Sequence, residues 1–208
     1  MNKFVYLVSI ALLMIIVTGC STLFNGEEEQ ELVLPTAVEQ WAVSAKASSA
    51  AGGLLGENRD DQSPYAATGE PDVEECGNSL NAWVIEQEDD GLHWLELEFY
   101  DEVYVSKVRI RESWNPGSVT KVELKDGDNY VTMWEGTDNR RHPECPGFFE
   151  VEYEGQEGNI TVKMSPFKVH TIRITFNTDV PGWNEIDAVQ LVGYNDRWYL
   201  FNNTIFYE

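Results

Sequence analysis

Two tryptophans stand beside turn residues rather than inside alternating strands. Trp114 precedes Asn115-Pro116-Gly117, and Trp183 lies between Pro181-Gly182 and Asn184. An aromatic face at such a place can stack on a sugar ring, while a few amide or cationic groups orient the hydroxyls. Asn115, Asn184, Arg140 and His142 are the polar residues available for that chemistry. The run Asp138-Asn139-Arg140-Arg141-His142 is the one dense cationic cluster of the sequence, and it would suit a carboxylate or a sulfate. Each feature has a plainer use. The tryptophans would also pack the end of a β-domain, and the arginines would also pair with neighbouring carboxylates.

Catalytic patterns are missing from the sequence. There is no Gly-x-Ser-x-Gly elbow and no His-Glu-x-x-His run. His93, His142 and His170 are scattered. With 36 acidic residues, some carboxylate pair always suits a glycosidase, so such a pair has little weight. Asp60-Asp61 and Glu88-Asp89-Asp90 read as solvated loop charges. These observations point to a protein that is not an enzyme.

The chain of 208 residues carries a formal charge of −22, which disfavours nucleic acid and anionic membrane surfaces as partners. Its beginning is different in kind. Lys3 is followed by Phe4 to Val17, apolar except for Ser9 if Tyr6 is counted as apolar. That run is shorter than the roughly 20 residues of a membrane span and has the layout of a secretory signal. Val17-Thr18-Gly19-Cys20 resembles the bacterial lipoprotein lipobox, with Val17 where Leu is usual. The resemblance implies a signal peptide over residues 1–20, cleavage before Cys20 and acylation of that cysteine (palmitate among the acyl chains). The mature protein would be held by lipid in the bacterial cell envelope, extracytoplasmic, at the outer membrane or cell surface. An ordinary signal peptide, or one uncleaved N-terminal helix, is the alternative. Residues 21–36, with Glu27-Glu28-Glu29-Gln30-Glu31, read as an acidic flexible tether.

Cys76 and Cys145 remain as an even pair in an oxidising compartment, which favours a disulfide over two free thiols. Neither belongs to a close Cys/His pair, so a zinc site is not indicated.

Strand alternation dominates the rest. Trp94 to Phe99 turns Leu95, Leu97 and Phe99 inward, with Glu96 and Glu98 outward. Val103 to Val105 and Val108 to Arg111 continue, with an irregularity near Ser106. Val119 to Lys125, Tyr130 to Trp134, Phe148 to Tyr153, Thr171 to Phe176 and Ile186 to Val192 follow, and Lys125-Asp126-Gly127-Asp128 reads as a hairpin turn. Many short antiparallel strands make a sandwich or barrel. Counting them in order places four connections at one end: the segment before Trp94, and residues 113–118, 135–147 and 177–184. Cys76 and Cys145 fall in the first and third, so topology and cysteine pairing agree. Trp114, Asn115, Arg140, His142, Trp183 and Asn184 share that end.

Several strings in order carry a further resemblance. They are Trp41 to Ser49, Ala67-Thr68-Gly69-Glu70-Pro71-Asp72, Cys76-Gly77, Ala82-Trp83, Trp94 to Phe99, Asn115-Pro116-Gly117, and Ile186 to Gly193. Together they resemble the galactose-binding-like domains, the fold of discoidin and coagulation-factor C domains and of many carbohydrate-binding modules. The resemblance implies an all-β, antiparallel jelly-roll sandwich over residues 37–193 that binds a ligand without catalysis. It also implies a structural Ca2+ held between an early loop and the last strand. Glu70, Asp72 and Asp187 are the candidates for that ion; the early loop of such domains reads Asp-Gly-x-Pro, and here Thr68 stands where that Asp is usual, so Glu70 or Asp72 would substitute. A membrane-anchored binding module for a glycan or other cell-envelope ligand is the leading expectation. The alternative is a structural lipoprotein that recognises an envelope protein and takes no small ligand. Residues 194–208 form an aromatic tail, with Trp198, Tyr199, Phe201, Phe206 and Tyr207, that would pack on the sandwich or dock a partner.

Overall fold

A computed structural model describes residues 34–141, 144–158, 160–201 and 204–207. The chain divides into residues 1–32 and 33–208, and the fold is that of the second unit. Cys20, the signal segment and most of the tether lie outside the described residues, as does His142.

Twelve strands appear among the described residues: β1 Val38–Trp41, β2 Ser44–Ala47, β3 Leu92–Trp114, β4 Val119–Asp126, β5 Asn129–Glu135, β6 Gly147–Glu152, β7 Gly155–Glu157, β8 Ile160–Val162, β9 Lys168–Asn177, β10 Glu185–Tyr194, β11 Trp198–Phe201 and β12 Thr204–Tyr207. One short 3-10 helix, Pro64–Ala67, lies in the long connection before β3. No helix among the described residues is long and apolar enough to cross a membrane.

The architecture turns on β3. Its first half, Leu92–Glu98, pairs with β9, and Leu95–Glu98 also pairs with β2. Its second half pairs with β10 and, over Lys107–Glu112, with β6. The register with β9 breaks between Glu98 and Val103. The strand therefore serves both layers of an antiparallel jelly-roll sandwich: β2-β3-β9-β4-β5 on one side and β1-β10-β3-β6 on the other. What reads in sequence as two strands is one strand that turns a corner.

The irregularity expected near Ser106 is present as a register shift opposite Val192 and Gly193. Backbones close up there. A Cβ on Gly193 would lie 2.5 Å from the Tyr104 carbonyl oxygen, so this position of the bulge needs glycine. The turn between β4 and β5 contains Gly127 at φ +57°, and Asp126 pairs with Asn129 across it.

The core forms where the inward faces meet. Leu95, Leu97 and Phe99 pack with Ile172, Ile174 and Phe176 of β9, and with Val108, Ile110, Val189 and Leu191 of the other layer. Trp83, 1% exposed, closes one end, its ring 5.1 Å from that of Phe176. Glu96 faces away from this core as expected, yet it is buried. It accepts hydrogen bonds from Arg173 and from the Tyr130 hydroxyl.

Candidate functional site

The loop end of the sandwich is assembled by buried charge. Cys76 and Cys145 are bonded, with Cα atoms 5.1 Å apart and 69 residues between them in sequence. The loop 72–79 is then hung on β10 by two acids. Asp187 accepts the Asp72 N–H at Oδ1 (3.2 Å) and the Val73 N–H at Oδ2 (3.3 Å). Glu185 accepts the Ser79 N–H at Oε2 (3.0 Å). Both acids are fully buried. Burial pushes Glu185 up to about 7, with the Ser79 N–H opposing. Burial likewise raises Asp187 to about 6, and the Asp72 and Val73 amides oppose it.

Arg140 is a bolt rather than a free cation. It donates to both carboxylate oxygens of Asp138 and forms an ion pair with the buried Glu112. Glu112 in turn accepts the Gly117 N–H at 3.2 Å. Desolvation lowers Arg140 to about 10, so it stays charged at neutral pH. Arg140, expected among the ligand-binding residues, is held at this place by these carboxylates. Its neighbour Arg141 donates to the carbonyls of Asp138 and Arg140, and the space it crosses is made by Gly117. Gly117 has φ +111°, and a Cβ there would lie 2.3 Å from the Arg141 guanidinium nitrogen.

The amides also tie loops. Asn115, at φ +46°, donates from Nδ2 to the Pro181 carbonyl at 2.7 Å. Asn184 donates from Nδ2 to the Asn115 carbonyl at 2.7 Å. These bonds bring Asn115 and Asn184 together at the loop that carries Trp183, as expected, but the two asparagines hold backbone. Trp114 ends β3 half-buried, in register with Glu185.

Trp183 has a different setting. It packs on the core with part of its ring exposed, and it lines a pocket of about 220 Å³ with Ala51, Gln62, Asn78 and Val84. Gln62 adopts φ +57° and donates from Nε2 to the Ser79 carbonyl at 3.2 Å. Gln62 and Asn78 were not singled out from the sequence. Nothing in their local pattern marks them, because only the folded loops bring residues 62, 78 and 183 together.

The residues proposed for calcium are engaged otherwise. Asp187 faces two backbone N–H groups. Arg59 lies 3.2 Å from the Asp72 Oδ2 and donates to the Glu70 carbonyl at 2.7 Å. Its guanidinium crosses the bare face of Gly69, where a Cβ would lie 3.1 Å away. Among the described residues no three His, Cys, Asp or Glu side chains converge as a metal site. Calcium needs six to eight oxygens, so this donor set does not fit the ion.

Known proteins resemble the chain as follows. The family-32 carbohydrate-binding module of C. perfringens NanJ, solved with galactose, has a TM-score of 0.48 and 18% identity, covering 74% of this chain and 99% of that one. The corresponding module of AlyQ, solved with 4,5-unsaturated mannuronic acid, has a TM-score of 0.44 and 17% identity over 73% and 96% of the two chains. Chitosan-binding module 1 of a chitosanase/glucanase from Paenibacillus sp. IK-5 has a TM-score of 0.44 and 14% identity over 72% and 92%. No curated protein matches the chain in sequence. The family model described as "Pappalysin-1, SD scarf domain, C-terminal" matches residues 34–201, and the chain belongs to that family.

Proposed function

We propose that this protein is a non-catalytic carbohydrate-binding module, held at a membrane surface through an acylated Cys20. The observation that supports it is the pocket at Trp183. A partly exposed indole face, the two amides of Gln62 and Asn78, and a volume of about 220 Å³ suit one sugar ring. The buried bonds of the surrounding loops keep this pocket formed before a ligand arrives, which lowers the ordering cost of binding. The lipid on Cys20 and the acidic tether would present it away from the membrane.

A glycan array and titration calorimetry on the full chain in detergent test the reading. The expected result is a bound glycan whose affinity falls at least tenfold in Trp183→Ala while the folded spectrum is kept. Unchanged affinity in that variant, or capture of an envelope protein with no glycan bound, overturns it. Cys20→Ala should move the protein from membrane to soluble fractions or block its processing. Unchanged membrane association of that variant overturns the anchor.

A further inference from the structure

The aromatic tail does more than cover the sandwich. β11 and β12 form a hairpin after β10, and Trp198 at its start meets Tyr194 edge-on, with ring centroids 5.3 Å apart. These two rings and Tyr153 line a cavity of about 390 Å³, together with Lys107, Lys163 and Glu152. Trp198 and Lys163 also border an adjoining recess of about 200 Å³. The location is opposite the Trp183 pocket. Glu152 ends β6 and Tyr153 follows it, while the start of β6 is at the disulfide end; Val192 to Tyr194 end β10, whose start holds Glu185.

Three features give the cavity a chemistry. The Trp198 Nε1–H is buried and finds no acceptor among the described residues. A buried donor without a partner is costly, so a ligand oxygen there would satisfy it. Tyr153 packs close to Gly155, where a Cβ would come within 2.8 Å of its ring, and burial pushes its phenol above the ordinary range. It therefore stays neutral. The ammonium groups at the rim are held by partly exposed ion pairs, Lys107 with Glu150 and Glu152, and Lys163 with Glu154. Such pairs contribute little and re-partner readily. Ring faces, a buried indole donor without a partner among the described residues, and mixed donors and acceptors at the rim together suit a hydroxyl-bearing ring.

We infer that the C-terminal tail completes a second ligand site, a groove that takes sugar rings of a saccharide against Tyr153, Tyr194 and Trp198. The site stands independently of the Trp183 pocket. The protein would then hold two saccharide contacts, at opposite ends of one sandwich.

The test is the indole N–H resonance of Trp198 in the 15N-labelled full chain, assigned with Trp198→Phe. The probes are lactose, cellotetraose and chitotetraose. The expected result is a shift of that resonance with at least one probe, both in the wild type and in Trp183→Ala. In Trp198→Phe, which keeps a ring but lacks the donor, affinity at this site should fall severalfold. A Trp198 signal unmoved by all three probes overturns the inference. If the Trp183 signal alone responds, this site falls and the loop-end reading stands. If the Trp198 signal alone responds, the reverse holds.

Discussion

Glu185 of β10 accepts the backbone N–H of Ser79 at 3.0 Å, across 106 residues of sequence, with its carboxyl group fully buried. One oxygen of that group has no hydrogen-bond partner among the described residues. Burial without a cationic partner is what raises Glu185 to about 7.

A pH dependence follows from this. The folded-state pKa lies above the ordinary value of 4.5, so the folded protein holds the proton more tightly than the unfolded chain. The stabilisation is complete below about pH 4.5 and is lost as pH rises towards and through 7. Asp187 acts in the same direction, rising from 3.8 to about 6. Denaturant unfolding should show falling stability from pH 5 to pH 8. Glu185→Gln should remove a part of that slope on the order of 3 kcal/mol. An identical slope in the variant counts against the assignment.

The Cys76–Cys145 bond closes a long loop, and this restricts the unfolded chain most. Replacing both with Ser should cost about 2–4 kcal/mol of stability. Non-reducing peptide mapping should recover the linked peptides. Two free thiols would contradict the structure.

Arg59 should matter where calcium does not. Arg59→Met leaves Asp72 without its partner and frees the Glu70 carbonyl, a loss of about 1 kcal/mol, or roughly 2–4 °C in Tm for a domain of this size. Chelator and millimolar calcium should give the same Tm for the wild type. A calcium-dependent rise would show that the ion displaces Arg59.

Much of the fold is legible in one dimension, and particular residues show why. Alternation at Leu95, Leu97 and Phe99, or at Ile172, Ile174 and Phe176, is a local consequence of one buried sheet face. Cysteine parity and strand counting both refer to connectivity, so they correctly joined residues 76 and 145. The continuity of β3 was not legible, because the apolar alternation breaks at the polar residues Asp101 and Glu102, and a strand that turns a corner reads there like two strands. β1 and β2 were missed as strands because four-residue edges such as Ser44–Ala47 show too little alternation.

The sequence by itself determined an acidic, all-β sandwich, the end at which its loops gather, and the partners of its disulfide. Tertiary structure alone decided what the gathered residues do. Arg140 was drawn to Asp138 and Glu112 because desolvated charges must pair. Asn115 and Asn184 were taken up by the backbone carbonyls of Pro181 and Asn115. Arg59 came to lie against Glu70 and Asp72, and Gln62 and Asn78 came to flank Trp183. These juxtapositions join residues far apart in the chain, so no local pattern encodes them.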